Sequence, residues 1–154
     1  MANYKQPFKE RSDDNTAEEY FEKYSVEKNI RFIRYGLDQR NSGISGKDFV
    51  KITRIIRNTP DYIVINNTAA FVEVKGCKEN LKIKEKDIES YDVWNKHLTL
   101  FYFFYSVMKD TFKFVSHAEL KKLLPLCEMG QYPDHTQWDN KMYYKVLWSS
   151  IKNG

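Results

Sequence analysis

The sequence is short of the residues that usually build a metal cluster or a covalent staple. Its two cysteines, Cys77 and Cys127, are isolated and lack metal-type spacing, which excludes a zinc ribbon and points to a reducing compartment. The three histidines, His97, His117 and His135, are scattered without ligand spacing and read as structural. Long apolar runs are missing too. The longest, residues 98–105 broken only by Thr99, is far too short to span a bilayer, so no membrane partner is expected. The first ten residues have no apolar core of a signal peptide, and a cytoplasmic location is the expectation. Internal repeats and low-complexity tracts are absent as well.

What is present is an ordinary soluble balance, with 42% hydrophobic and 30% charged residues among 154. That length suits one domain spanning residues 1–154, with a core over about 16–116 and a C-terminal extension over 117–154. Aromatic residues reach 16%, and the net charge of +4 permits a nucleic-acid partner without demanding one.

The most informative stretch is residues 59–76. Two short apolar strands flank the polar turn Asn66-Asn67-Thr68, with Pro60-Asp61 opening the first and Glu73-Val74-Lys75-Gly76 closing the second. Period-2 geometry puts Glu73 and Lys75 on one face and Val72 and Val74 on the other. If the three turn residues form the loop, Ile65 pairs with Ala69 and Asp61 stands opposite Glu73. A shift by one residue sets Asp61 opposite Val74, with Glu73 and Lys75 on its diagonals. In either register two carboxylates and an ammonium converge. Carboxylates that close repel, and an ionised pair calls for a divalent cation. A lone Glu-x-Lys is ordinarily a solvated edge, and Asp after Pro a turn residue; only their joint placement suggests a magnesium-type site.

Around this hairpin, Asn15 or Thr16 can cap a helix whose buried stripe is Ala17, Tyr20, Phe21 and Tyr24, fading near Lys28-Asn29. Residues 30–35 read as a strand and 37–46 as a loop. Residues 47–57 are amphipathic if helical, with Lys47, Lys51 and Arg54 forming a basic stripe and Arg57 at its margin. Pro60 forces that helix to end before it. A helix over 83–96 has Ile88, Tyr91 and Trp94 inward, and Lys84 falls on the same stripe, as a snorkelling lysine or a second active-site cation. Residues 98–105 read as a central strand covered on both sides, 111–116 as another strand, 118–124 as a helix stopped by Pro125, and 143–148 as a last short element. The order implies an α/β or α+β layer fold with a mixed sheet of about five strands.

This order, with Pro60-Asp61 and Glu73-Val74-Lys75-Gly76, resembles the PD-(D/E)xK nuclease superfamily, and within it the phage-type endonuclease I and archaeal junction-resolvase branch. The likeness covers about residues 16–116 and implies a restriction-endonuclease-like core with helices flanking the sheet. It implies that Asp61 and Glu73 bind metal and that Lys75 is the catalytic lysine. It also implies an acid on the first helix: Glu18 is favoured, with Glu19 and Glu22 as alternatives. Asn29 stands where family members often carry glycine.

The expected activity is that of a metal-dependent DNA endonuclease. One or two Mg2+ ions would be held by Asp61, Glu73, the Val74 carbonyl and Glu18, with Lys75 orienting or deprotonating water. Mn2+ should substitute for Mg2+, while Ca2+ should bind without supporting cleavage. Lys47, Lys51, Arg54, Lys78 and Lys82 would hold the backbone of branched or duplex DNA, with Lys84 near the site. A homodimer is expected if two strands are cut. The compact, Lys-, Asn- and Tyr-rich style suggests a phage protein acting in the host-cell cytoplasm. The rival expectation is a non-catalytic module on the same fold that binds nucleic acid or a host protein.

Overall fold

A computed structural model describes residues 8–37, 43–133 and 141–153. The expected loop over 37–46 therefore lies partly outside the described residues, as does His135. Helix α1 spans Phe8–Glu27, so it begins well before Asn15, which lies in its interior. Its C-terminus is a Schellman turn. Asn29 adopts a left-handed φ of 55°, its N–H donates to the Val26 carbonyl at 3.2 Å, and the Ile30 N–H donates to the Ser25 carbonyl at 2.8 Å. Asparagine tolerates this conformation better than most side chains, which is why it can stand where glycine was expected.

Strand β1 (Arg31–Arg34) follows. The amphipathic helix expected over 47–57 is instead two single turns, α2 (Gly46–Phe49) and α3 (Arg54–Arg57). Ser45 caps the first by accepting from the Asp48 N–H, and an extended Thr53 opens the second. Strands β2 (Tyr62–Ile65) and β3 (Ala69–Cys77) form the hairpin. The segment read as one helix over 83–96 divides into β4 (Leu81–Lys84) and α4 (Glu85–Trp94). The alternation Leu81, Lys82, Ile83, Lys84, buried at the apolar positions, has strand period, and it wins over the helical reading of Lys84. Strand β5 (Leu100–Ser106), β6 (Thr111–Ser116) and α5 (His117–Leu123) follow as expected, with Pro125 in a 3-10 turn after the helix. Strands β7 (Glu128–Gln131) and β8 (Met142–Val146) complete the chain; β7 had no legible signal in the sequence.

The main sheet has the order β1-β2-β3-β5-β6. Only β3 and β5 run parallel, joined by a crossover that contains β4 and α4. Helix α1 covers one face, where Ala17 and Phe21 pack with Val72, Val74 and Phe103. On the other face Ile88 and Tyr91 of α4 and Leu120 of α5 pack with Phe71, Tyr102 and Phe104. Both faces of β5 are thus buried, as its lack of a polar side requires. A second sheet, β4-β8-β7, adds Leu81, Ile83 and Val146 to that second core. No helix among the described residues is long and apolar enough to cross a membrane.

Candidate active site

The hairpin register is the first of the two expected. Ile65 pairs with Ala69 and Tyr62 with Val72, which sets Asp61 opposite Glu73. Asp61 sits just before β2, and its carbonyl accepts the N–H groups of Tyr35 at 2.8 Å and Gly36 at 3.2 Å, tying it to the end of β1. Its side-chain Oδ2 accepts the Val74 N–H at 2.9 Å. Its own N–H donates to Glu73 Oε2 at 3.3 Å. Glu73 is only 7% exposed. Its Oε1 accepts from the Tyr91 hydroxyl at 2.6 Å and lies 3.5 Å from Lys75 Nζ.

Backbone direction adds a third oxygen. The Phe71 N–H donates toward β5, to the Thr99 carbonyl at 2.9 Å. The Val74 N–H donates the other way, to Asp61. Along β3, alternate residues therefore address opposite edges, and the Val74 carbonyl turns to the edge where Asp61 stands.

The electrostatics of this corner are unbalanced. Burial pushes the Asp61 carboxyl well above the usual carboxylate range, and the Glu73 charge pushes it further; the Val74 N–H and Lys75 pull it back. Burial likewise raises Glu73, opposed by Lys75 and the Tyr91 hydroxyl. Burial alone would lower Lys75, yet Glu73, Asp87, Asp14 and Asp61 together hold its ammonium above the ordinary value. One lysine thus faces four carboxyl groups. Among the described residues no three His, Cys, Asp or Glu side chains are grouped as a metal cage. The donor set is a carboxylate pair and a backbone carbonyl, all hard oxygens. It fits Mg2+, which is commonly held by one or two carboxylates and keeps several waters.

The first helix resolves its glutamates by their partners. Glu22 is clamped by Arg34, at 2.6 Å from Nη2 and 2.7 Å from Nε, and accepts from the Tyr62 hydroxyl at 2.8 Å. Glu19 is exposed. Glu18 lies 3.8 Å from Arg34 Nη1, and its charge also acts on Asp61. Asp14, one turn earlier, escaped the sequence reading. Its Oδ1 accepts the Gly76 N–H at 2.9 Å, and its charge acts on Lys75. Gly76 makes that approach possible, because a Cβ there would lie 2.1 Å from the Asp13 carbonyl oxygen. Asp87 was missed as well. Its charge reaches both Glu73 and Lys75, and Asn58 donates to it at 3.1 Å. Tyr91 was read only as an inward aromatic; its place one turn after Asp87 on the face toward Glu73 was the available signal.

The basic residues separate into two groups. Lys47 is exposed on α2, and Lys51 pairs with Asp48 at 2.8 Å, so the supposed all-basic stripe contains its own acid. Arg54 and Lys84 are gathered with Lys86 and Lys141; together these three depress the Lys141 ammonium, after burial, below its usual value. Lys78 is exposed after β3, and Lys82 is exposed on the outer side of β4.

No family model matches this chain, and no curated protein does. Among solved structures it is similar to the Holliday junction resolvase Hjc of the archaeal hyperthermophile Archaeoglobus fulgidus, with a TM-score of 0.53 and 15% identity over 89% of this chain and 90% of that one. A nuclease from a fusselovirus is similar at a TM-score of 0.49 and 16% identity, over 96% of this chain and 87% of that one. With its mixed five-stranded sheet, the chain has the fold of a junction-resolvase-type nuclease.

Proposed function

We propose that this protein is a Mg2+-dependent nuclease of the PD-(D/E)xK type that hydrolyses phosphodiester bonds in branched or duplex DNA. The observation that carries the reading is the convergence of the half-buried Asp61 and the buried Glu73, with the Asp61 N–H donating to Glu73 Oε2 at 3.3 Å, beside Lys75. A module that only bound nucleic acid would gain nothing from crowding two acids together, a cost that the single Lys75 ammonium, shared with Asp14 and Asp87, offsets only in part. The fold shared with an archaeal Holliday junction resolvase supports the same reading.

Asp61, Glu73 and the Val74 carbonyl would hold the ion, with Glu18 completing the shell directly or through water. When bound, the ion supplies charge neutralisation at the phosphate and acidifies water. The chain's own groups do the positioning. Tyr91 fixes the Glu73 carboxylate, and the Val74 N–H fixes that of Asp61. Lys75 Nζ orients the attacking water and donates to the negative charge that grows on the phosphate oxygens. Water adds to phosphorus as the bond to the departing sugar oxygen breaks, leaving one phosphate monoester and one hydroxyl end.

The test combines binding and turnover. Ca2+ titrated calorimetrically into the protein should bind, and Asp61→Asn should abolish that binding. Plasmid, single-stranded and branched DNA incubated with Mg2+ should be cut, and EDTA should stop it. Absence of Mg2+-dependent cutting on every substrate rules the reading out.

A further inference from the structure

The outer face of the β4-β8-β7 sheet gathers basic side chains around a tyrosine ring. Its inner face is ordinary: Leu81, Ile83 and Val146 are buried, and Tyr144 packs against them. On the outer face Lys82 and Lys145, both exposed, occupy directly opposed positions. Like charges directly across a strand pair are destabilising; Glu128, directly opposite Lys145 on β7, offsets this for Lys145 and leaves Lys82 without an acid across from it on β8.

Beside them lies an aromatic seat. Tyr143 pairs with Gly130 on one side and Lys84 on the other. A Cβ on Gly130 would lie 2.5 Å from the Tyr143 Cζ and hydroxyl oxygen, so glycine is what lets the ring lie across β7. Lys82 Nζ lies over that ring, 5.3 Å from its centre, and the Tyr132 ring is 4.8 Å away. The aromatic surface thus has lysines on its β4 and β8 sides, one of them folded over it where an incoming base would displace it, and one acid, Glu128, on its β7 side. Lys84, opposite Tyr143 at the end of β4, leads straight into α4, whose Tyr91 bonds Glu73, and Lys141 is close enough to Lys84 for the two ammonium groups to interact. An aromatic platform set in a cationic strip complements an unpaired nucleic-acid strand, which offers flat base faces and a regularly charged backbone.

We propose that this outer face binds a single-stranded stretch of nucleic acid, one base stacking on Tyr143 and neighbouring phosphates resting on Lys82 and Lys145, and that the strand continues past Lys84 and Lys141 toward Asp61, Glu73 and Lys75. The substrate class is then DNA with an unpaired strand, such as a flap or an open branch, rather than uninterrupted duplex. The direction of the strand rests on the nuclease reading; binding at Tyr143 does not.

The test is fluorescence anisotropy on the full chain in EDTA, with a labelled oligo-dT strand and a blunt duplex of equal length. Tyr143→Ala should weaken single-strand binding about tenfold, Tyr143→Phe should leave it intact, and duplex binding should change less than about twofold. The double variant Lys82→Gln, Lys145→Gln should lower the logarithmic salt slope on the single strand by roughly 1.4, two phosphates' worth. Its melting temperature should change little, because the Lys82–Lys145 repulsion and the Lys145–Glu128 attraction are removed together. Unchanged single-strand affinity in Tyr143→Ala, or an equal loss on strand and duplex, overturns the proposal. Should Tyr143→Ala not fold, an unchanged salt slope in the lysine double variant overturns it. Because binding is read without metal, a protein that binds strands through Tyr143 but cuts nothing keeps this platform and loses the nuclease reading; one that cuts while binding independently of Tyr143 does the reverse.

Discussion

The Tyr91 hydroxyl donates a 2.6 Å hydrogen bond to Glu73 Oε1, the oxygen that also lies 3.5 Å from Lys75 Nζ. With Oε1 occupied in this way, Oε2 is left aimed at Asp61. Tyr91 thereby positions a proposed metal ligand from the helix within the crossover.

Replacing Tyr91 with Phe keeps the ring against Tyr102 and removes only that donor. Outer-shell partners of metal ligands are typically worth 10–100-fold in affinity or activity, so the Mg2+ concentration for half-maximal cleavage should rise about tenfold. The rate at saturating Mg2+ should fall much less. A Mg2+ titration of the cleavage rate reads both quantities. An unchanged midpoint would show that Glu73 is held in place without the hydroxyl.

Asp61→Asn should stabilise the metal-free protein while abolishing cleavage. The amide keeps an acceptor for the Val74 N–H and removes a charge that burial and Glu73 both oppose. A chain of this size gains about 2–4 °C per kcal/mol of added stability, and scanning calorimetry in EDTA near neutral pH should show the variant melting above wild type. Saturating Mg2+ should then stabilise wild type and leave the variant unmoved.

The same pair sets a pH dependence. The folded-state pKa values of Asp61 and Glu73 lie above their ordinary ones. Protonation therefore favours the folded chain: the contribution is fully present below the ordinary carboxylate value of about 4 and is lost as pH rises through the raised values. In EDTA the melting-temperature advantage of Asp61→Asn over wild type should accordingly be small near pH 4 and grow toward neutrality. Subtracting one protein from the other cancels carboxylates elsewhere, such as Asp92, which His117 and Lys121 hold below the usual range despite partial burial. An advantage that shrank with rising pH would contradict the sign.

The hairpin and its charged corner were legible because period-2 alternation, a turn tripeptide and three charged residues in apolar strands all agreed, while the choice between two registers needed the structure. Strand β5 was legible because a run with no polar face must be covered twice. The helix expected over 83–96 is present as α4, and only its start was misread, for a physical reason. Leu81, Ile83 and Ile88 satisfy a strand and then a helix within one stretch, and the change of period at Lys84 has no proline or glycine to mark it. Asp14 and Asp87 were invisible for another reason. Each reaches the site through a tertiary approach, one over Gly76 and one through Asn58, that no local pattern encodes.

Glu18 and Glu22 should behave oppositely. Glu22 serves Arg34 and Tyr62, so Glu22→Gln should cost roughly 1 kcal/mol of stability, discounted because Arg34 is largely exposed, and leave cleavage close to wild type. Glu18→Gln should leave the melting temperature nearly unchanged and weaken Mg2+-dependent cleavage at least tenfold. A thermal melt and a cleavage rate on each variant separate them. The reverse pattern would move the helix acid of the site to Glu22.

Single-turnover cleavage of a labelled, branched DNA across a Mg2+ series tests the metal-dependent nuclease most directly, on wild type, Asp61→Asn, Glu73→Gln and Lys75→Ala. Wild type should cut with a saturable dependence on Mg2+, and Mn2+ should replace it. Each variant should lose at least a hundredfold in rate while keeping its fold and its DNA affinity. Cleavage that persists in EDTA, or in Asp61→Asn, or no cleavage by wild type at any Mg2+ concentration, would contradict the assignment of Asp61, Glu73 and Lys75 as the active site.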